Sequence, residues 1–138
     1  MENQTVITVE ALINAAEDTI WALWTNPEDI KIWNTASDDW HTTEATNDLQ
    51  VGGKFTSTMA AKDGSFSFVF GGTYTKIRKN QTIAYVMDDG RKAETTFTKK
   101  GEQTLVTTVF DAESENPVEM QQAGWQAILN NFKAYAEK

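Results

Sequence analysis

The chain has 138 residues, 20 acidic and 12 basic side chains, a net charge of −8 and no cysteine. Without cysteine there is no disulfide framework, thiolate zinc site, iron–sulfur site or cysteine nucleophile, and an anionic surface repels phosphate backbones and anionic lipid heads, so neither nucleic acid nor a membrane is an expected partner. The length and the globular balance of 40% hydrophobic to 23% charged residues fit one domain, 1–138, large enough to bury roughly 68% of its unfolded surface in a core.

Residues 6–13 alternate, which puts Ile7, Val9, Ala11 and Ile13 on one face of a strand. Asn14 followed by Glu17 reads as a capping box, and Ile20, Leu23 and Trp24 give the helix after it an apolar side. Asn26-Pro27-Glu28-Asp29 reads as a second helix start, with Ile30 and Trp33 one turn apart.

Between residues 40 and 111, short runs rich in Thr, Val, Phe and Tyr alternate with turn signals: Val51-Gly52-Gly53, Lys62-Asp63-Gly64, Arg78-Lys79-Asn80-Gln81, Asp88-Asp89-Gly90 and Lys99-Lys100-Gly101-Glu102. Such spacing predicts consecutive antiparallel hairpins. Phe55, Ser57 and Met59 alternate on one strand, and Phe66, Phe68 and Phe70 on the next. Ala93, Thr95 and Phe97 follow, then Leu105, Thr107 and Val109. Gly71-Gly72 inside a strand run predicts a bulge or sharp bend.

The last segment predicts a long helix, with Asn116 as cap, Pro117 as first helical residue and Glu119 completing the box. Val118, Gln121, Trp125, Ile128, Leu129, Phe132 and Ala136 form one stripe at helical period. About 20 residues give roughly 30 Å of helix, against about 23 Å for a seven-residue strand. The helix is therefore long enough to cross the sheet, whose aromatic face is the partner its stripe needs. The expected fold class is α+β, a helix grip: a curved antiparallel sheet of about seven strands wrapped around a long C-terminal helix, with two short helices after the first strand.

Several sequence blocks carry a family resemblance. They are residues 20–28 (IWALWTNPE), Ile32-Trp33, residues 49–55 (LQVGGKF), residues 72–77 (GTYTKI), residues 104–107 (TLVT) and residues 123–135 (AGWQAILNNFKAY). In this order they resemble the START-like superfamily, also called SRPBCC or birch-pollen-allergen-like. Within it they resemble the homologues of the activator of the ninety-kilodalton heat-shock-protein ATPase (AHSA-like). The resemblance implies a cavity between sheet and last helix. It further implies functions ranging from lipid or polyketide binding, through cyclase chemistry, to chaperone contact and stress response.

Read as a set, Trp33, Trp40, Phe55, Met59, Phe68, Phe70, Tyr74, Tyr85, Phe97, Trp125 and Leu129 are the expected lining of a pocket for a small hydrophobic, aromatic or lipid-like ligand. Ser57, Thr95 and Thr107 interleave with them as polar groups, and Tyr74 or Tyr85 offers a phenol. Gly124 in mid-helix lets the helix lie close to the sheet or to a ligand, the sheet being the plainer account. His41, the lone histidine, sits beside Asp38 and Asp39 in what reads as a polar surface loop, and matches no metal-ligand spacing. Asp88-Asp89-Gly90 lacks the later acids of a calcium loop and reads as a hairpin turn. Gly71-Gly72 precedes a strand rather than a helix and so is no phosphate cradle.

The expectation is a non-catalytic carrier without catalytic residues, metal or cofactor, monomeric or weakly dimeric. The alternatives are a chaperone-regulating interaction module and a cyclase- or hydrolase-type enzyme using the same cavity. The stretch from Met1 to Thr8 lacks the basic and apolar order of a secretory signal, and no apolar run nears the roughly 20 residues that span a bilayer. The cytoplasm is the default location.

Overall fold

The alternation of residues 6–13 becomes strand β1 (Val6–Ile13), with Ile7, Val9, Ala11 and Ile13 all buried and their neighbours exposed. The computed structural model describes residues 5–35 and 37–138; Met1 to Gln4, half of the stretch read for a signal, lie outside them. After β1 come helices α1 (Glu17–Thr25) and α2 (Pro27–Trp33), then strands β2 (Trp40–Asn47), β3 (Lys54–Ala61), β4 (Ser67–Arg78), β5 (Thr82–Met87), β6 (Lys92–Lys100) and β7 (Gln103–Asp111). Helix α3 (Val118–Ala136) closes the chain.

The sheet has seven strands in the order β1-β7-β6-β5-β4-β3-β2, every neighbouring pair antiparallel. It curls into a half-barrel of the helix-grip kind. Strands β2 to β7 are one meander, and only β1 arrives out of order, which the two short helices make possible by carrying the chain from one edge of the sheet to the other. Glycines with positive φ close four of the predicted turns: Gly52, Gly64, Gly90 and Gly101; Asn80 does the same between β4 and β5.

Three local expectations need correction. Asn14 does not cap α1. Its backbone N–H donates to Glu137 (2.8 Å), Ala15 turns back onto Ile13, and Ala16 stands at the N-cap without a side-chain bond. Asn116 does not cap α3 either. Its amide donates to Glu113 (2.8 Å), whose carboxylate gathers the turn, and Pro117 is the N-cap rather than the first helical residue. Asn26, by contrast, caps α2 by accepting from the Glu28 N–H (3.2 Å).

The third correction concerns Gly71-Gly72, which carry no bulge: they pair in register with Thr56 and Phe55, and the irregularity between β4 and β5 falls later, between Tyr74 and Lys76. What the glycines supply is room. A Cβ on Gly72 would lie 2.7 Å from the Val86 carbonyl and 3.1 Å from the Phe55 ring.

Helix α3 does not lie centrally over the sheet but is tied to the free edge of β1. Gln126 completes a strand-like exchange with Glu10, donating to its carbonyl (3.0 Å) and accepting from its N–H (3.3 Å). Gln122 donates to the Thr8 carbonyl (3.2 Å) and Glu137 takes the Asn14 N–H. These contacts satisfy an edge that would otherwise stand open. Of the predicted stripe, Gln121, Leu129 and Phe132 are buried, while Val118 in the first turn is exposed.

Candidate functional site

Because α3 is held at the β1 edge, a hollow remains between it and the curl of β2 to β5. Its volume is about 540 Å³, within the roughly 300–1,000 Å³ of small-molecule sites. One end is stopped by an aromatic plug. Trp24 and Trp33 stack at 4.9 Å, both meet Phe132 edge-on at 4.9 Å, and the Trp33 indole N–H donates to the Leu23 carbonyl (3.0 Å).

The wall away from β1 is a cluster of rings. Phe55 lies 5.1 Å from Tyr74 and 4.7 Å from Tyr85, and Phe70 reaches across to Trp125 at 6.1 Å. Trp125 is itself stacked flat on Phe110, 3.8 Å apart and 11° from parallel. The rim carries Trp40, Phe68 and Met59, with Phe66 edge-on to Trp40 and largely exposed.

Ten of the eleven residues expected as lining border this hollow: Trp33, Trp40, Phe55, Met59, Phe68, Phe70, Tyr74, Tyr85, Trp125 and Leu129. Phe97 faces the same side of the sheet but sits beneath α1, edge-on to Trp21 (5.6 Å) and Trp24 (5.7 Å), and does not border the hollow. Thr107 needs correction. The inward set of β7 is Thr104, Val106, Thr108 and Phe110, and Thr107 points outward to Glu10. Both faces of this strand carry apolar residues, so alternation alone could not choose between them. Thr108 is the residue at the hollow.

Other bordering residues carried no signal for a site: Val9, Gln121 and Ile128 read only as parts of a strand face and a helix stripe, Ile83 is an ordinary core type, and Arg91 and Glu113 stand in or beside turns. Gly124 borders the hollow, and a Cβ built there meets nothing within 4 Å. The glycine therefore leaves open space rather than permitting close helix–sheet contact, the plainer account given above.

Polar groups in the hollow fall into two sets. At the rim, Gln121 is buried and saturated: it accepts from the Glu113 N–H (2.9 Å) and donates to the Glu113 and Asn116 carbonyls. The Arg91 guanidinium is engaged by Asp89 (2.8 Å). The Glu113 carboxylate is held below its usual range by its bonds from Asn116. Deeper, Ser57 is 5% exposed and its hydroxyl makes no hydrogen bond to another described residue. The hydroxyls of Thr95 and Thr108, residues 2% and 5% exposed, bond only to each other among the described residues, at 2.7 Å.

Burial pushes the phenols of Tyr74 and Tyr85 well above their ordinary value, so both stay protonated. The Asn47 side-chain amide oxygen accepts from the Tyr74 hydroxyl (2.5 Å), while the Tyr85 hydroxyl has no partner among the described residues.

His41 lies outside this site. It is exposed on β2, opposite Ala60, rather than in a loop. Among the described residues no group of three His, Cys, Asp or Glu could hold a metal ion, and no helix is long and apolar enough to cross a membrane. Asp88-Asp89-Gly90 forms the β5–β6 turn.

Residues 14–137 match the model of the family described as activator of Hsp90 ATPase homolog 1-like protein. The chain belongs to this family. It is similar to the AHSA1-like protein from Aeromonas hydrophila, known from a solution NMR structure, at 46% identity and a TM-score of 0.91, covering 96% of this chain and 92% of that one. It is also similar to Chr148 from Cytophaga hutchinsonii, at 51% identity and a TM-score of 0.83, covering 95% and 91%. The Aha1 dimer from Colwellia psychrerythraea shares the fold at 16% identity and a TM-score of 0.76 over 96% of both chains. No curated protein sequence matches. Family and helix-grip fold thus agree with the START-like resemblance of the sequence.

Proposed function

We propose that this protein binds a small, largely apolar molecule in the hollow between α3 and the sheet, without transforming it. The observation that carries the reading is a space of about 540 Å³ walled by aromatic rings and kept open beside Gly124. Normal cores close such gaps. Each Å² of apolar ligand surface buried contributes about 25 cal/mol before the costs of immobilisation are subtracted. Binding is favoured over cyclase or hydrolase chemistry because the charged side chains at the rim, Glu113 and Arg91, are already engaged by neighbours.

A thermal-shift panel of naphthalenes, fatty acids and sterols tests the reading. A ligand at 100 times its Kd stabilises by about 2.7 kcal/mol, several degrees in Tm. Flat melting curves across the panel refute it.

A second reading, docking to a chaperone, is favoured by the family match and by the exposed Phe66, Val69 and Met120. Adding the protein to purified Hsp90 and measuring ATP turnover separates the two: stimulation supports docking, and an unchanged rate discards it.

A further inference from the structure

Thr95 and Thr108 face each other in register across β6 and β7, within a cross-strand row running Ile83, Thr95, Thr108, Val9. All four residues border the hollow. The two hydroxyls bring two protons. Their mutual bond at 2.7 Å uses one, whichever oxygen donates, and neither oxygen bonds to any other described residue. One buried O–H donor is therefore left over. An unpaired donor in an apolar site is more costly than an unused lone pair, so the pair lacks an acceptor rather than a donor.

The Ser57 and Tyr85 hydroxyls add two further protons facing the same space. Among the described residues no cation faces them from the interior to hold an anion; Arg91, at the rim, is engaged by Asp89.

Resting on the binding reading above, we propose that the Thr95–Thr108 hydroxyl pair is the specificity-determining contact of the hollow, and that it selects an uncharged apolar molecule carrying a buried oxygen acceptor, such as a ketone. The spare proton is donated to that oxygen while the rings grip the hydrocarbon. Hydrocarbons of the same shape bind less well, because they leave the donor unpaired.

A matched pair of probes, 2-acetylnaphthalene and 2-ethylnaphthalene, differs essentially by one carbonyl oxygen. Titration followed by NMR is expected to show the ketone binding roughly three- to tenfold tighter to the wild-type protein, the size of one net hydrogen bond. Thr95→Val with Thr108→Val keeps the shape and removes both hydroxyls. It is expected to bind 2-ethylnaphthalene at least as well as before, which also shows that it is folded, and to lose the preference.

In the wild type, the infrared carbonyl stretch of the bound ketone is expected to lie below its value in hexane, a readout that needs no variant. Equal affinity of the two probes for the wild type, an unshifted stretch, or a preference that survives in the double variant each overturns the proposal while leaving the binding reading intact. Failure of both probes to bind overturns both.

Discussion

Replacing Gly124 by alanine separates two accounts of why a glycine stands in the middle of α3. If the helix needed a bare backbone to approach the sheet, a methyl group would collide and the protein would lose stability. In the structure a Cβ at this position meets nothing within 4 Å, so there is no collision to subtract. What remains is the helix propensity difference, about 1 kcal/mol in favour of alanine. For a chain of this length that is about 4 °C in Tm, or roughly 0.5 M in the urea midpoint. Calorimetry and urea unfolding followed by circular dichroism measure both. A Gly124→Ala protein that is less stable than wild type, or unchanged, refutes the reasoning. Gly124→Leu extends the test to function: its isobutyl group enters the hollow, so the helix gains stability while affinity for apolar probes falls at least tenfold.

Gly72→Ala should act in the opposite sense to Gly124→Ala. Its methyl group meets the Val86 carbonyl at 2.7 Å, backbone that cannot step aside, and a loss of about 2 kcal/mol in urea unfolding is expected. The tyrosines give a pH prediction. Tyr74 and Tyr85 have raised pKa values when folded, so the unfolded chain releases protons first. Their contribution is intact below pH ~10, the unfolded value, and is lost as pH rises above it. Of the three tyrosines, no more than one should ionise by 295 nm absorbance before unfolding, and two ionising near pH 10 would contradict the burial. Gln126→Leu removes the amide that pairs with Glu10. Faster hydrogen exchange of the Glu10 N–H and a loss of about 1 kcal/mol are expected, and unchanged exchange would show that the edge is not protected by this contact.

The fold was legible because each element announces its buried face. Residues 6–13 alternate cleanly, the turns carry glycines where positive φ is needed, and the last stripe repeats at helical period. Alternation tells which face of a strand a residue occupies, but not how far along the sheet it lies. Hence Phe70 and Phe97 looked equivalent, although α1 covers only Phe97. On β7, where residues 104 to 110 are apolar or Thr on both faces, even the face is ambiguous, and alternation does not distinguish Thr107 from Thr108. The failed caps have different causes: α1 begins at Glu17 with Ala16 at its N-cap, two residues beyond Asn14, whereas the Asn116 side chain is taken by the neighbouring Glu113. Arg91 and Glu113 reach the hollow only because the curl of the sheet brings the β5–β6 turn beside the start of α3, a proximity no local pattern encodes.

The amide contacts from Gln122 and Gln126 to β1 have a consequence for how such a protein can diversify. They fix the helix along one margin of the sheet, so its distance from the opposite wall does not depend on what fills the gap. Residues facing that gap can be enlarged, trimmed or made polar without the scaffold collapsing around them. Anchoring and selectivity thus reside in different parts of the molecule and are free to vary separately.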